Sequence, residues 1–318
     1  MAFFMPKRAC KTIEKKDNTE REETMLSETT TIYLNGQWQE AHAANARNYQ
    51  PTLHAGNGVF ELIRAYGTEN GPAIWQGKAH FERLRYSANR VHLELPYSTA
   101  ELASITAELL QRNQLENAFI RAVVYLEPTA EEGHRPRVGL LLSAWAASGP
   151  IGFHRQEIMT SNYHLPHPED RLPGAKEIGQ HAHTLIATNE ARKKGFDDAL
   201  LLNAHGQVAG GPSANFFFEL EDTLYTAPEG HIFPGITRAT IIQMAQEIGY
   251  TVVETHFKPE EVRGTDAAFF TSTSHEIQGI VSLDGVPFQK EWEDTMGFNL
   301  LLRYRKAARE QALPLGII

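Results

Sequence analysis

Cysteine is almost missing from this sequence: its 318 residues contain one, Cys10. A lone thiol excludes an intramolecular disulfide, and such a chain suits a reducing cytoplasm. Long apolar runs are missing too. No uninterrupted stretch approaches the ~20 residues of a membrane-spanning helix. Positive charge is outweighed, with a formal net charge of −9. That balance argues against nucleic acid or an anionic membrane as a main partner, because both attract basic surfaces. A local basic pocket for a small anion is compatible with it, and no metal centre is expected. The first residues, MAFFMPKRAC, lack the apolar core and small-residue cleavage site of a secretory signal. Residues 7–23 are dense in charge and have little to bury. Residues 1–28 are therefore expected to be a disordered extension, with Met25 as an alternative start.

What is there reads as a globular protein, 42% hydrophobic and 22% charged. The length suits one large domain or two ordinary ones. TIYLNGQWQEA predicts a hairpin turning at Asn35-Gly36. NGVFELIRAY predicts a strand. KAHFERLRYSANRVHLEL then places Phe81, Leu84, Ala88 and Val91 on one helical face. Ser98 and Glu101 form a capping box for a helix over about 99–113. AFIRAVVYLEP and RVGLLLSAWA read as buried strands. The small, polar stretch AASGPIG at 146–152 is the expected domain boundary. Beyond it come a helix ending at Gly195, strands in DDALLLN, QVAG, NFFFEL and TLYTA, a helix in ITRATIIQMAQEIG, and a strand in AAFFTSTS. Strands and helices do not alternate strictly. Two α+β domains are expected, 29–147 and 148–318.

Four elements could carry chemistry, and each has an ordinary alternative. In PGITR, Thr237 sits near a helix start, where free N–H groups suit a phosphate; a Thr there can equally cap its own helix. Thr271-Ser272-Thr273-Ser274 clusters hydroxyls at a strand end, as an anion site or a plain polar loop. Arg83 flanks the apolar face of its helix, able to fork onto a phosphate or to stay solvated. Lys176 in LPGAKEIGQHAH follows a Pro-Gly turn. A confined lysine can act as a nucleophile toward an aldehyde, whereas most lysines are surface residues. Their order and spacing carry more than any of them singly.

Taken in order, GVFELIRAY, HFERL, AFIR, the lysine of GAKEIG, NEARKKGFDDALLLNAHGQVAGGPSANFFFE, LYTAP, FPGITRATI and FFTSTSHEI resemble the class IV (fold-type IV) pyridoxal 5′-phosphate-dependent aminotransferases. The likeness is strongest to the branched-chain amino acid type and runs from about Ile32 to about Ala307. It implies a two-domain α+β fold with pyridoxal 5′-phosphate (PLP) in the cleft between domains. Lys176 matches the lysine that carries the cofactor covalently and shuttles a proton between the substrate α-carbon and the cofactor. Arg83, Ile236, Thr237 and Thr273 match phosphate-holding positions. Phe60, Phe119, Arg121 and Ser274 match positions lining the substrate side-chain or carboxylate sites. An amino acid and a 2-oxo acid are the implied substrates, with glutamate and 2-oxoglutarate as one usual pair, and a homodimer is the implied assembly.

The chain departs from the family's pattern at several positions. The glutamate expected against the cofactor's ring nitrogen is Gly210, in Val208-Ala209-Gly210-Gly211. Without that charge the ring should be a poorer electron sink, and Gly210→Glu is expected to quicken the half-reaction. The tyrosine expected near the cofactor's phenolic oxygen is His181, which can also donate a hydrogen bond. Ala55 replaces a tyrosine, and Leu62 replaces a glycine, pushing bulk toward the expected substrate pocket. Two functions follow from the resemblance. One is a transaminase with altered substrate choice. The other is a PLP-binding relative with weak or altered chemistry, such as a lyase.

Overall fold

The computed structural model describes residues 27, 30–44, 56–127, 137–147, 155–166, 172, 174–179, 181–310 and 312–314. The expected extension, apart from Ser27, and most of the 146–152 boundary stretch lie outside them, as does Ala55.

Two sheets organise the chain. The first contains β1 (Thr31–Leu34), β2 (Gln37–Glu40), β3 (Gly58–Thr68), β4 (Gly71–Ile74), β5 (Ala118–Leu126) and β6 (Val138–Ala146). Asn35 and Gly36 both take positive φ, 49° and 90°, so β1 and β2 join through the expected Asn-Gly hairpin turn. On β3 one side chain in two enters the core. Val59, Ile63 and Ala65 pack beneath α1 (Gly77–Arg90) and α2 (Thr99–Arg112). The α1 helix buries Phe81, Leu84 and Ala88 as its spacing predicts, and Val91 is its C-cap. The capping box of α2 is present, with Glu101 N–H donating to Ser98 Oγ at 3.2 Å and Ser98 N–H to Glu101 Oε2 at 2.7 Å.

The second sheet holds β7 (Gln156–His164), β8 (Asp198–Leu202), β9 (Val208–Gly210), β10 (Asn215–Leu220), β11 (Thr223–Thr226), β12 (Thr251–Glu254), β13 (Ala267–Ser272), β14 (Glu276–Leu283) and β15 (Val286–Pro287). Their order is β12-β11-β10-β13-β14-β7-β8-β9, with β15 beside β14. Helices α3 (His181–Lys193), α4 (Ile236–Glu247) and α5 (Met296–Glu310) accompany it, and β16 (Leu313–Pro314) returns to pair with β4 of the first sheet. NFFFEL is central and buried on both faces, so its three phenylalanines need no polar alternation. Phe217 stacks on Phe269 at 5.1 Å beneath α4 and α5, while Phe216 and Phe218 fill the opposite face. The α5 N-terminus is met by a buried carboxylate: Gly297 N–H donates to Glu219 Oε1 at 2.7 Å and Met296 N–H to Oε2 at 3.1 Å.

The sequence patterns above did not mark β7, β12, β14 or α5. In β7 only Ile158, Met159 and Ser161 are buried, too few for alternation to show. The α5 helix does carry a helical stripe, Leu300, Leu301, Tyr304, Ala307 and Ala308. No helix among the described residues is long and apolar enough to cross a membrane.

Candidate active site

Lys176 is placed by backbone pairing to the first sheet. Phe60 N–H donates to Lys176 O at 2.9 Å, and Ile178 N–H donates to Gly58 O at 3.1 Å. These bonds bridge Val59 to Glu177. Lys176 N–H donates to Ser87 Oγ of α1 at 3.0 Å. The lysine backbone is therefore locked between a strand and a helix. Gly58 has room for this only as glycine: φ is +147°, and a Cβ would lie 2.8 Å from Val124 O.

The side chain of Lys176 enters a cavity of about 310 Å³, also lined by Arg83, Ile236, Thr237 and Thr273. These four come from α1, the start of α4 and the turn after β13. Gly235, not Thr237, is the N-cap of α4, and it has no side chain with which to satisfy the first N–H groups of the helix. Thr237 is the second residue of that helix, so capping is not its role. Arg83 is not solvated. Its Nε and Nη2 donate to the two oxygens of Glu61 at 2.8 and 2.7 Å, and its Nη1 donates to Pro234 O at 3.2 Å. His80 Nδ1 lies 3.2 Å from Glu61 Oε1. Burial works against the Glu61 charge, yet Arg83 and His80 outweigh it and hold the carboxyl well below the usual range. An acid in the middle of an apolar strand was the sequence signal for this pair.

Lys176 Nζ sits 4.7 Å from the Phe60 ring centre and 5.0 Å from that of Phe233. Burial lowers its pKa from 10.5 to about 8; Glu61 opposes the shift, and the Arg83 and Arg121 charges add to it. At pH 7 about one amine in ten is then neutral, against roughly one in three thousand for a free lysine. The neutral amine is the nucleophile.

The remaining candidates divide. Arg121 places its guanidinium 4.8 Å from the Phe60 ring, so both stand beside Lys176. Phe119 is farther along the sheet, 6.0 Å from Trp145 and under the Arg64 guanidinium at 4.7 Å. Ser274 lies in the β13–β14 turn, 3.2 Å from Ser272 Oγ and 3.1 Å from His275 Nδ1. None of Phe60, Arg121, Phe119 and Ser274 lines the cavity that holds Lys176, and nor does Leu62, which pairs with Arg121 across β3 and β5; Phe60 meets the Lys176 amine through its ring. His181 opens α3, and its side chain lies outside the described residues. No group of three or more His, Cys, Asp or Glu among the described residues is placed to hold a metal.

One expectation is reversed. Gly210 ends β9 at φ +133°, and a Cβ there would lie 2.6 Å from Ala214 O. This backbone does not accept a glutamate, so Gly210→Glu should disturb the fold before any carboxylate reaches a ring nitrogen.

One cavity thus joins an amine of lowered pKa to a helix N-terminus that no side chain caps. Residues 58–283 match the family model described as amino-transferase class IV. The chain belongs to the class IV aminotransferase family. A branched-chain-amino-acid aminotransferase of Pseudomonas aeruginosa is 32% identical over 268 residues, covering 82% of this chain and 87% of that one. The Escherichia coli K12 enzyme of the same name is 28% identical, covering 80% and 85%. Among solved structures, a branched-chain aminotransferase of Thermoproteus uzoniensis with norvaline superposes with a TM-score of 0.80 at 29% identity, covering 88% of this chain and 94% of that one. A T.th. branched-chain amino acid aminotransferase with pyridoxamine 5′-phosphate gives 0.82 at 27% identity, covering 91% and 96%.

This class IV aminotransferase is a two-domain-type α+β protein whose cofactor is PLP. The residues present fit that group. Lys176 offers an amine to an aldehyde, and a dianionic phosphate suits free helix N–H groups, two threonines and Arg83. The cavity volume lies at the lower end of the ~300–1,000 Å³ usual for such ligands. With Lys176 proposed as the amine that takes the aldehyde, loading of the cofactor-free chain with PLP should rise with pH, half-maximal near pH 8, since the amine must be neutral to react. Stopped-flow absorbance across pH 6–11 (a span of about five units) checks this. A midpoint near an ordinary lysine pKa would contradict the assigned environment.

Proposed function

We propose that this aminotransferase moves the amino group of a branched-chain-type amino acid to a 2-oxo acid, with Lys176 as its catalytic residue. The observation that carries the reading is Lys176 itself: an amine with a depressed pKa in the same cavity as Arg83, Thr237 and Thr273. The names of its relatives support the substrate class.

In this reading Ile236 and Thr237 bind the phosphate through the α4 N-terminus, with Thr273 and Arg83 closing around it. His181 stands near the cofactor's phenolic oxygen. Bound PLP supplies the electron sink that makes a substrate α-proton removable. Lys176 Nζ takes that proton and returns one to complete the exchange. Phe60 and Phe233 exclude water around the amine. Glu61 fixes the Arg83 guanidinium, so that its plane is set before the anion arrives.

The substrate side is built on Phe60, Phe119, Arg121 and Ser274. Arg121 Nε is buried without a hydrogen-bond partner, as are Nε and Nη1 of Arg64. Buried, unpaired guanidinium nitrogens favour a carboxylate ligand, which suits glutamate and 2-oxoglutarate as the second pair. Apart from β16, which returns to the first sheet, the two sheets are read as the 29–147 and 148–318 domains, with the cavity at their junction. A homodimer is supported by exposed apolar residues, Leu185 and Ile186 on α3 and Tyr163 on β7, which lie one to three positions in sequence from the cavity-lining Thr184, His183 and Leu165. A solution mass of one chain, 35.6 kDa, would sink that assembly. A cytoplasmic setting is supported by the near absence of cysteine.

The deciding experiment mixes the PLP-loaded chain with single amino acids and follows conversion to the pyridoxamine form by absorbance. Leucine, isoleucine, valine and glutamate should each convert it. A chain that none of the twenty common amino acids converts is not a transaminase of this kind.

A further inference from the structure

Two consecutive carbonyls in the loop before α4 are gripped by side chains from different elements. Phe233 O accepts from Asn215 Nδ2 at 2.8 Å, and Pro234 O accepts from Arg83 Nη1 at 3.2 Å. The next residue is Gly235, the N-cap of α4. Its φ of −75° and ψ of 131° are open to any residue, so conformation does not demand glycine. Space does: a Cβ there would overlap Asn215 Oδ1 and lie 3.4 Å from Arg238 Cβ. Both ends of the Asn215 amide are therefore engaged, the nitrogen on Phe233 O and the oxygen against the Gly235 Cα.

Asn215 is buried and lines the cavity. Its backbone pairs with Thr271, two residues before Thr273. One residue thus joins both halves of the anion site, the α4 N-terminus through its side chain and the β13 turn through its strand. The directions of the first helix N–H groups follow from the peptide planes leading into Gly235; Asn215 holds the first of these at Phe233 O, and Arg83 holds the next at Pro234 O. Hydrogen bonds weaken steeply with misalignment, so a small rotation of this loop spoils several at once.

We propose that Asn215 is a positioning residue for the cofactor phosphate, holding the loop 233–235 so that the α4 N-terminus meets the anion. The proposal rests on the reading that Ile236, Thr237, Thr273 and Arg83 hold that phosphate. It concerns the phosphate alone, so it predicts a selective loss.

The full chain, stripped of cofactor, is titrated with PLP and with pyridoxal, which lacks the phosphate, and binding is followed by absorbance. In Asn215→Ala the dissociation constant for PLP should rise roughly 10-fold or more, while that for pyridoxal stays within about 2-fold. Asn215→Asp keeps the shape, cannot donate to Phe233 O and should show the same selective loss; it serves if the alanine variant does not fold. Gly235→Ala should weaken PLP in the parent chain and do so far less in Asn215→Ala, where no Oδ1 opposes the methyl. Equal losses for PLP and pyridoxal, no loss for either, or additive effects of the two substitutions would overturn the proposal. A parent chain that binds PLP no better than pyridoxal would instead refute the phosphate reading beneath it.

Discussion

Lys176→Ala is expected to abolish transamination while leaving the fold intact. The side chain stands in a cavity, and its backbone bonds to Phe60 and Ser87 do not depend on it. Removing the proton-transfer group alone costs about 10²–10⁴ in rate. Losing the proposed covalent anchor adds to that. The residues proposed to hold the phosphate remain, so PLP should still bind, without the absorbance of a lysine-bound aldehyde. Borohydride treatment should fix the cofactor to Lys176 in the parent chain and to no peptide in the variant. A small primary amine added to solution should restore part of the rate, because it supplies the missing group. Parent-like turnover in the variant, or a cofactor adduct on a different lysine, would refute the role of Lys176.

Gly210→Glu is expected to destabilise the chain and slow it. The position combines φ +133° with a Cβ only 2.6 Å from Ala214 O. Backbone strain of this kind costs ~1–3 kcal/mol, and overpacking a filled site adds ~1–3 kcal/mol. Together these approach a large share of the ~5–15 kcal/mol by which a domain is stable. The melting temperature should fall by about 5–15 °C, with a slower half-reaction. Gly210→Ala should show most of the same loss, since the first side-chain carbon is what collides. An unchanged melting temperature together with faster conversion would mean that the backbone at 210 relaxes, restoring the electron-sink argument that the sequence alone suggests.

These two positions differ in how much the sequence said about them. Lys176 stands out in the sequence only through its order and spacing with HFERL, PGITR and FFTSTS, which carry the resemblance to the family; no local pattern marks it. Gly210 was recoverable only as a missing charge. Its conformation depends on how β9 meets the Ala214 backbone, and no residue near it in sequence reports that. Arg83 shows the same limit. A helix-flank arginine is visible in the pattern, but its pairing with Glu61 joins residues of two elements whose distance only the packed sheet and helix define.

What the sequence determined by itself was whatever short-range physics decides. The Asn35-Gly36 turn follows from two residues able to take positive φ, and the Ser98–Glu101 box from side chains three positions apart. The doubly buried Phe216–Phe218 strand follows from an apolar run too short for a helix. The single cysteine excludes an intramolecular disulfide, and the negative net charge argues against a nucleic-acid or anionic-membrane partner. The tertiary structure alone decided the state of the site. It buried the Lys176 amine between Phe60 and Phe233, near two guanidinium groups, and so lowered its pKa. It set Asn215 against Gly235, and it closed position 210 to a side chain. Desolvation, charge proximity and steric overlap depend on distances between residues far apart in the chain, and only folding brings those distances into being.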